Sequence, residues 1–296
     1  MSRALSLPVQ KNERIALTID NLDNRGFGVG RYEGVAVFVE GALPGERVEA
    51  LVIKCAKNYA AAKLLCILES SADRVESDCG VYEKCGGCSL RHLSYEAQLV
   101  RKRMSVEDAL RRIGGFSDVM VRDTLGARET RRYRNKAQFP VGMDKNGRLI
   151  AGFYAGRTHT IIENRDCALG VAENKIVLDI VLDFCTEKKI PAYDETTGKG
   201  LLRHVLIRKG FSTGQIMVCL ILNGSSFAAE QELADRLFEK VPGMTSFSVN
   251  SNTERTNVIM GSKTRTIRGK DRIEDTIGGL VFTISPQSFY QVNPVQ

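Results

Sequence analysis

No apolar run in this sequence reaches the roughly 20 residues that a bilayer-spanning helix needs, so no membrane helix is expected. The opening stretch, MSRALSLPVQKNER, has no apolar core of the kind a secretory leader carries, which makes the cytoplasm the expected compartment. There the eight cysteines are not expected to form structural disulfides; a tight group of them points to a metal or to catalysis. A Walker phosphate loop, an HExxH helix and a Ser–His–Asp order are all missing, as are internal repeats and low-complexity tracts. Tryptophan is absent too, which excludes no function.

What is present is an ordinary globular composition, 43% hydrophobic and 26% charged, in 296 residues, enough for two or three domains with cores of their own. The net charge of +7 favours an anionic partner, although where the cations cluster matters more than their sum.

Between Ile15 and Leu68 five short strand-like runs are separated by turn residues: Ile15–Ile19, Gly26–Arg31, Val35–Val39, Arg47–Ile53 and Ala60–Leu68. That density predicts a small closed barrel of the OB type over residues 10–70. Gly26-Phe-Gly-Val-Gly30 precedes a further strand rather than a helix, so its glycines are read as barrel bends and not as a nucleotide loop. A cysteine segment at 71–92 follows, then a helical segment at 93–125 whose helix starts at a Ser94 cap and stops at Gly114-Gly115. From 126 to 280 strands and helices alternate. The strands include Tyr133–Val141, Leu149–Tyr154, Leu201–Arg208, Gln215–Leu222 and Ser246–Asn250, and the helices are Val171–Lys189 and Ala228–Lys240. The pattern predicts an α/β (α+β) central domain, a sheet with helices packed on it. Residues 281–296 read as a strand leading into another element.

Cys79-Gly-Val-Tyr-Glu-Lys-Cys85-Gly-Gly-Cys88 brings three thiols together with one ligand outstanding. His92 would complete a Cys3His set suited to tetrahedral zinc. Cys167, in the polar stretch Glu163-Asn-Arg-Asp-Cys, would complete a four-thiolate iron–sulfur site. Spacing does not choose between them. The other cysteines, Cys55, Cys66, Cys185 and Cys219, are expected as inert core residues. His204, inside an apolar strand, is expected to be structural. Arg128, Arg131, Arg132, Arg134 and Lys136, interrupted by Tyr133, form a candidate RNA contact, because guanidinium forks grip phosphate and an aromatic stacks on an unpaired base.

The order of these motifs resembles the RNA uracil-C5 methyltransferases that act on large-subunit ribosomal RNA. The resemblance rests on Gly26-Phe-Gly-Val-Gly-Arg31 and Ala42-Leu-Pro-Gly-Glu46 of a TRAM-like barrel, on Cys79…Cys85-Gly-Gly-Cys88, and on Arg132-Tyr-Arg-Asn-Lys-Ala-Gln138. Leu202-Arg-His204 and Ile284-Ser-Pro-Gln-Ser-Phe-Tyr-Gln-Val-Asn293 also carry it. It implies a 4Fe–4S cluster on Cys79, Cys85, Cys88 and Cys167, and RNA contacts from Arg131, Arg132, Arg134 and Lys136. It also implies S-adenosylmethionine as methyl donor, touched by Gln291, and a monomer acting on structured ribosomal RNA. In such enzymes a cysteine adds to C6 of uracil and a base removes the C5 proton. Neither residue matches a position here. The chain is therefore expected to lack most of a Rossmann-like methyltransferase domain, to hold an incomplete methyl-donor site, and to be inactive alone. Its helical segment is expected to pack on that domain. Two other readings are a non-enzymatic RNA-binding module with a Cys3His zinc site, and a redox enzyme. The second lacks both the CxxxCxxC triad and a flavin motif.

Overall fold

Strict alternation drives the first half of the chain. In the computed structural model, which describes residues 8–296, β1 (Arg14–Leu22) buries Ile15, Leu17 and Ile19 and exposes the residues between them. With β2 (Gly28–Tyr32), β3 (Val35–Glu40), β4 (Arg47–Cys55) and β5 (Tyr59–Glu69) it closes a barrel in the order β1-β2-β3-β5-β4. Val37, Val39, Val48, Val52 and Ala60 fill the interior. Two glycines let β2 press onto its neighbours. A Cβ on Gly30 would lie 2.2 Å from the Thr18 carbonyl oxygen, and one on Gly28 would lie 2.7 Å from that of Ala42. These glycines permit close backbone approach, a different use from a phosphate loop.

Residues up to Tyr82 together with Cys88–Gly126 form one compact unit. Its strongest polar tie is Glu46, fully buried, whose carboxylate takes the Arg74 guanidinium at 2.5 and 2.9 Å and the Leu43 N–H at 2.8 Å. Burial alone would raise this carboxyl's pKa; the hydrogen bond from Arg74 and the other donors more than offset it, leaving the pKa below its ordinary value. Ser94 caps α1 (Tyr95–Asp108) by accepting the Ala97 N–H, and the last turn, Ala109–Ile113, widens to a π-helix before Gly114. Among the described side chains of α1, only Ala97 is buried. Val100, Val106 and Ile113 are exposed. Cys55 and Cys66, expected in the barrel core, are exposed as well. Cys66 faces outward beside Glu49, and Cys55 ends β4 after the run of burial has stopped at Val52. Strand membership decided their placement less than which face of the pleat they occupy.

The second unit, Glu83–Gly87 with Ala127–Gln296, is built on a seven-stranded sheet in the order β12-β11-β10-β9-β6-β7-β8. The strands are β6 (Lys136–Met143), β7 (Leu149–Tyr154), β8 (Ile161–Glu163), β9 (Leu202–Lys209), β10 (Ile216–Leu222), β11 (Met244–Ser251) and β12 (Lys263–Gly269). β10 and the first seven residues of β9 are buried throughout, as a sheet covered on both faces requires. One cover is helical. Val177, Val181 and Phe184 of α2 (Glu173–Glu187), with Leu233 and Leu237 of α3 (Glu230–Lys240), pack on Phe139, Val205, Val218 and Phe247. The other cover is a hairpin, β13 (Ile273–Ile277) and β14 (Leu280–Ile284), and the irregular stretch after it; Ile273, Ile284 and Tyr290 pack on Met217. Gly278 and Gly279, at φ +57° and +80°, supply the left-handed turn the hairpin needs. No helix among the described residues is long and apolar enough to cross a membrane. The first seven residues of the chain, which open the stretch expected to lack a leader, lie outside the described residues.

Candidate nucleic-acid and cofactor interface

The basic run divides by use. Arg132 adopts a left-handed φ of +53° and turns its guanidinium onto the 166–170 loop. It pairs with Asp166 at 2.7 Å and donates to the carbonyls of Cys167 at 3.0 Å and Gly170 at 3.1 Å. The hydrogen bond from Arg132 holds the Asp166 carboxyl below its usual range. Arg132 therefore shapes this loop first. Arg131 and Arg134 are exposed, and a cleft of about 180 Å³ is lined by Arg128, Arg131, Arg132, Tyr133, Phe211 and Asn293. Three guanidinium groups and two rings around a space of that size suit an unpaired base with its phosphate.

Lys136, half-buried on β6, stands opposite Arg208 of β9 in register. Burial first, then the Arg208 charge, pulls the Lys136 amine below its ordinary pKa, and burial brings the Arg208 guanidinium down to about 10. Arg208 serves the structure, since its Nη2 donates to the carbonyls of Pro286, at 3.2 Å, and Ser288. Further along the same segment, Asn135 donates from Nδ2 to the Gln291 carbonyl and from its backbone to that of Val292, both at 2.9 Å. The Tyr290 hydroxyl donates to Asp275 at 3.1 Å. Asp275 is buried; burial would raise its carboxyl, and donors from Ser212 and the backbone bring it lower still than its ordinary value. These ties hold residues 286–292 against the sheet, leave Phe289 87% exposed and keep Gln291 at the surface.

Asn135, Arg208 and Asp275 were not singled out in the sequence. Asn135 lay inside the motif run at 132–138, and Arg208, a cation closing an apolar strand, was the available signal.

The four candidate cluster thiols are half-buried and free of disulfides. Cys79 and Cys88 belong to the first unit and Cys85 and Cys167 to the second. Cys85 bridges to Ala155, and its Sγ accepts the Gly87 N–H at 3.4 Å. Among the described residues no three His, Cys, Asp or Glu side chains converge as a metal site requires, so these residues as they stand do not fit a preassembled cluster. The zinc alternative fares no better, since the His92 Nδ1 is occupied by the Tyr82 hydroxyl. Burial pushes the Cys185 and Cys219 thiols up to about 12 and about 11, which makes both poor nucleophiles. His204 is buried, and burial followed by Arg203 lowers it to about 4, so it is neutral at pH 7. His159, exposed, pairs with Glu195 and stacks on Tyr154 at 5.1 Å.

Residues 8–65 match the TRAM domain family. Uncharacterized RNA methyltransferases of Halalkalibacterium halodurans and Clostridium tetani are 46% and 43% identical over 98% of this chain. One of Listeria monocytogenes is 45% identical over 97%. The chain spans 63% of the length of each of these relatives. The crystal structure of the Pyrococcus abyssi tRNA (uracil-54, C5)-methyltransferase in complex with S-adenosyl-L-homocysteine shares its fold. The TM-score is 0.71 at 24% identity, over 95% of this chain and 62% of that one. This overturns the expectation of a methyltransferase domain essentially missing from the fold: 95% of the chain superposes on a methyltransferase. The stretch after Ile284, read as a strand opening onto something absent, is seated on the sheet by Arg208 and Asn135.

Proposed function

We propose that this chain serves in the methylation of C5 of a uridine in structured RNA, with S-adenosylmethionine as donor. The observation that carries the reading is the pairing, within one unit, of a cationic, aromatic-lined cleft at Arg128–Tyr133 with a pinned segment that presents Phe289 and Gln291. Such a cleft takes a base that has left its stack, as chemistry on a base requires. Similarity to named RNA methyltransferases and the TRAM match support RNA as the partner. Large-subunit ribosomal RNA is the substrate that the motif resemblance favours. In this reading Arg131 and Arg134 meet phosphate, Lys136 adds positive charge beside the pinned segment, and Arg132 sets the loop that positions them. Gln291 would touch the methyl donor, which supplies an electrophilic methyl group when bound.

The resemblance also proposes Cys79, Cys85, Cys88 and Cys167 as ligands of a 4Fe–4S cluster, whose own binding would have to draw the thiols together. Iron with acid-labile sulfide in anaerobically purified protein supports that set. Stoichiometric zinc that survives Cys167→Ala and is lost in His92→Ala replaces it.

For RNA, the expected result is that Arg131→Ala and Arg134→Ala each weaken binding of a ribosomal stem-loop and flatten its salt dependence by about 0.7–0.9 in log–log slope per lost phosphate contact. Unchanged affinity and slope in both variants remove the assignment. Tighter binding of a transfer-RNA stem-loop moves the substrate class.

A further inference from the structure

The barrel's outer wall carries an aromatic pair that its core does not use. Alternation in β3 sends Val37 and Val39 inward and leaves Ala36 and Phe38 outside. In the parallel register with β5, Ala36 stands beside Tyr59 and Phe38 beside Ala61, so rings and methyl groups occupy opposite corners of one patch. The rings meet edge to face, with centroids 5.5 Å apart and planes at 86°, and Tyr59 is 39% exposed. The interior beneath is already filled by Val37, Val52 and Ala60, all fully buried. Exposed rings that add nothing to a core mark a binding surface more often than isolated aliphatic residues do. The two alanines leave open floor beside each ring.

The charge around this patch is mainly of one sign. Arg31 lies across from Ala36 on β2, and Lys54 lies across from Ala61 on β4. Lys57 sits in the turn that leads into Tyr59, and all three cations are exposed. Arg31 spends one nitrogen on the Gly34 carbonyl at 3.0 Å and keeps its other donors outward. Lys63 stands beside Glu40 in register, so that corner is balanced, and Glu33 in the β2–β3 turn is the nearest opposing carboxylate in sequence.

From this geometry we infer that the β2–β3–β5 wall binds single-stranded RNA, stacking one unpaired base on the Tyr59–Phe38 pair while Arg31, Lys54 and Lys57 track the adjoining phosphates. A duplex keeps its base faces covered, so the rings select an unpaired strand; stacking itself tolerates any base. The inference rests on the reading of this chain as RNA-binding. It assigns the barrel a contact separate from the cleft at Arg128–Tyr133.

The test is fluorescence anisotropy of the full chain with a short fluorescein-labelled oligouridine. Tyr59→Ala is expected to weaken binding about tenfold, the typical effect of losing one base stack. Tyr59→Phe should bind like the wild type. Lys54→Ala and Lys57→Ala should each flatten the salt dependence by about 0.7 in log–log slope. Should Tyr59→Ala fail to fold, a 4-thiouridine probe cross-linked to the wild-type chain decides: a cross-link in the Phe38 or Tyr59 peptide supports the wall, and one confined to other peptides overturns it. Unchanged affinity in a folded Tyr59→Ala overturns it as well. A wild-type chain that ignores oligouridine but binds a stem-loop refutes this wall and leaves the proposed function standing. A chain that binds no RNA refutes both.

Discussion

The barrel and the seven-stranded sheet bury their strands in different ways. β1 of the barrel buries every second residue, because its other face meets water. β10 of the sheet buries all seven of its residues, because helices cover one face and a hairpin with an irregular segment covers the other. A half-buried wall leaves its outer pleat free to carry rings and cations, as Tyr59, Phe38 and Lys54 do. A doubly covered sheet has no such face. Its contact residues must come from the loops and from the segment that forms its second cover, where Arg131, Phe289 and Gln291 lie.

The largest test of this contrast is Phe247→Ala. Phe247 is fully buried beneath α2 and α3, and its loss should cost the sheet unit about 4 kcal/mol, read as lost hydrogen-exchange protection in β9–β11. A cost below about 1 kcal/mol would show a core that collapses to fill the gap. In the barrel unit the corresponding weak point is polar. Glu46→Ala strands the Arg74 guanidinium and should cost about 3 kcal/mol, measured by denaturant titration. Because the Glu46 carboxyl is held below its ordinary pKa, the stability it contributes is present above about pH 4.5 and lost as pH falls through the folded value.

The smallest effect belongs to His204, lowered from about 6.5 to about 4. Below pH 6.5 the unfolded chain takes up a proton that the folded chain refuses, so stability falls with pH and the loss is complete near pH 4. Between pH 7 and 5 the loss should be about 2 kcal/mol, and His204→Gln should remove it from the pH dependence of melting. An identical pH profile in the variant would place the acid sensitivity elsewhere.

Legibility in the sequence followed the same divide. Alternating runs located the barrel strands, and continuous apolar runs located β9 and β10 to within one residue at either end. β12, Lys-Thr-Arg-Thr-Ile-Arg-Gly, has no apolar period because it is an exposed edge strand, and only its pairing with β11 makes it a strand. The hairpin of β13 and β14 went unread although Gly278-Gly279 marked its turn. At the candidate site the cations were legible as a run, but their division was not. Arg132 differs from its neighbours through a left-handed backbone and a partner loop 34 to 38 residues away. Arg208 and Asp275 matter through carbonyls and hydroxyls that no local pattern announces.

Asn135 and the carbonyl it grips at Gln291 are separated by 156 residues. At ribosomal speeds of about 5–20 residues per second, that stretch takes roughly 10–30 s to emerge. The barrel, whose pairings all lie within its own short span, closes early in synthesis. The surface carrying Phe289 and Gln291 is therefore assembled last. Until then the Arg208 side of the sheet is uncovered, and a nascent chain acquires its barrel long before its pinned segment.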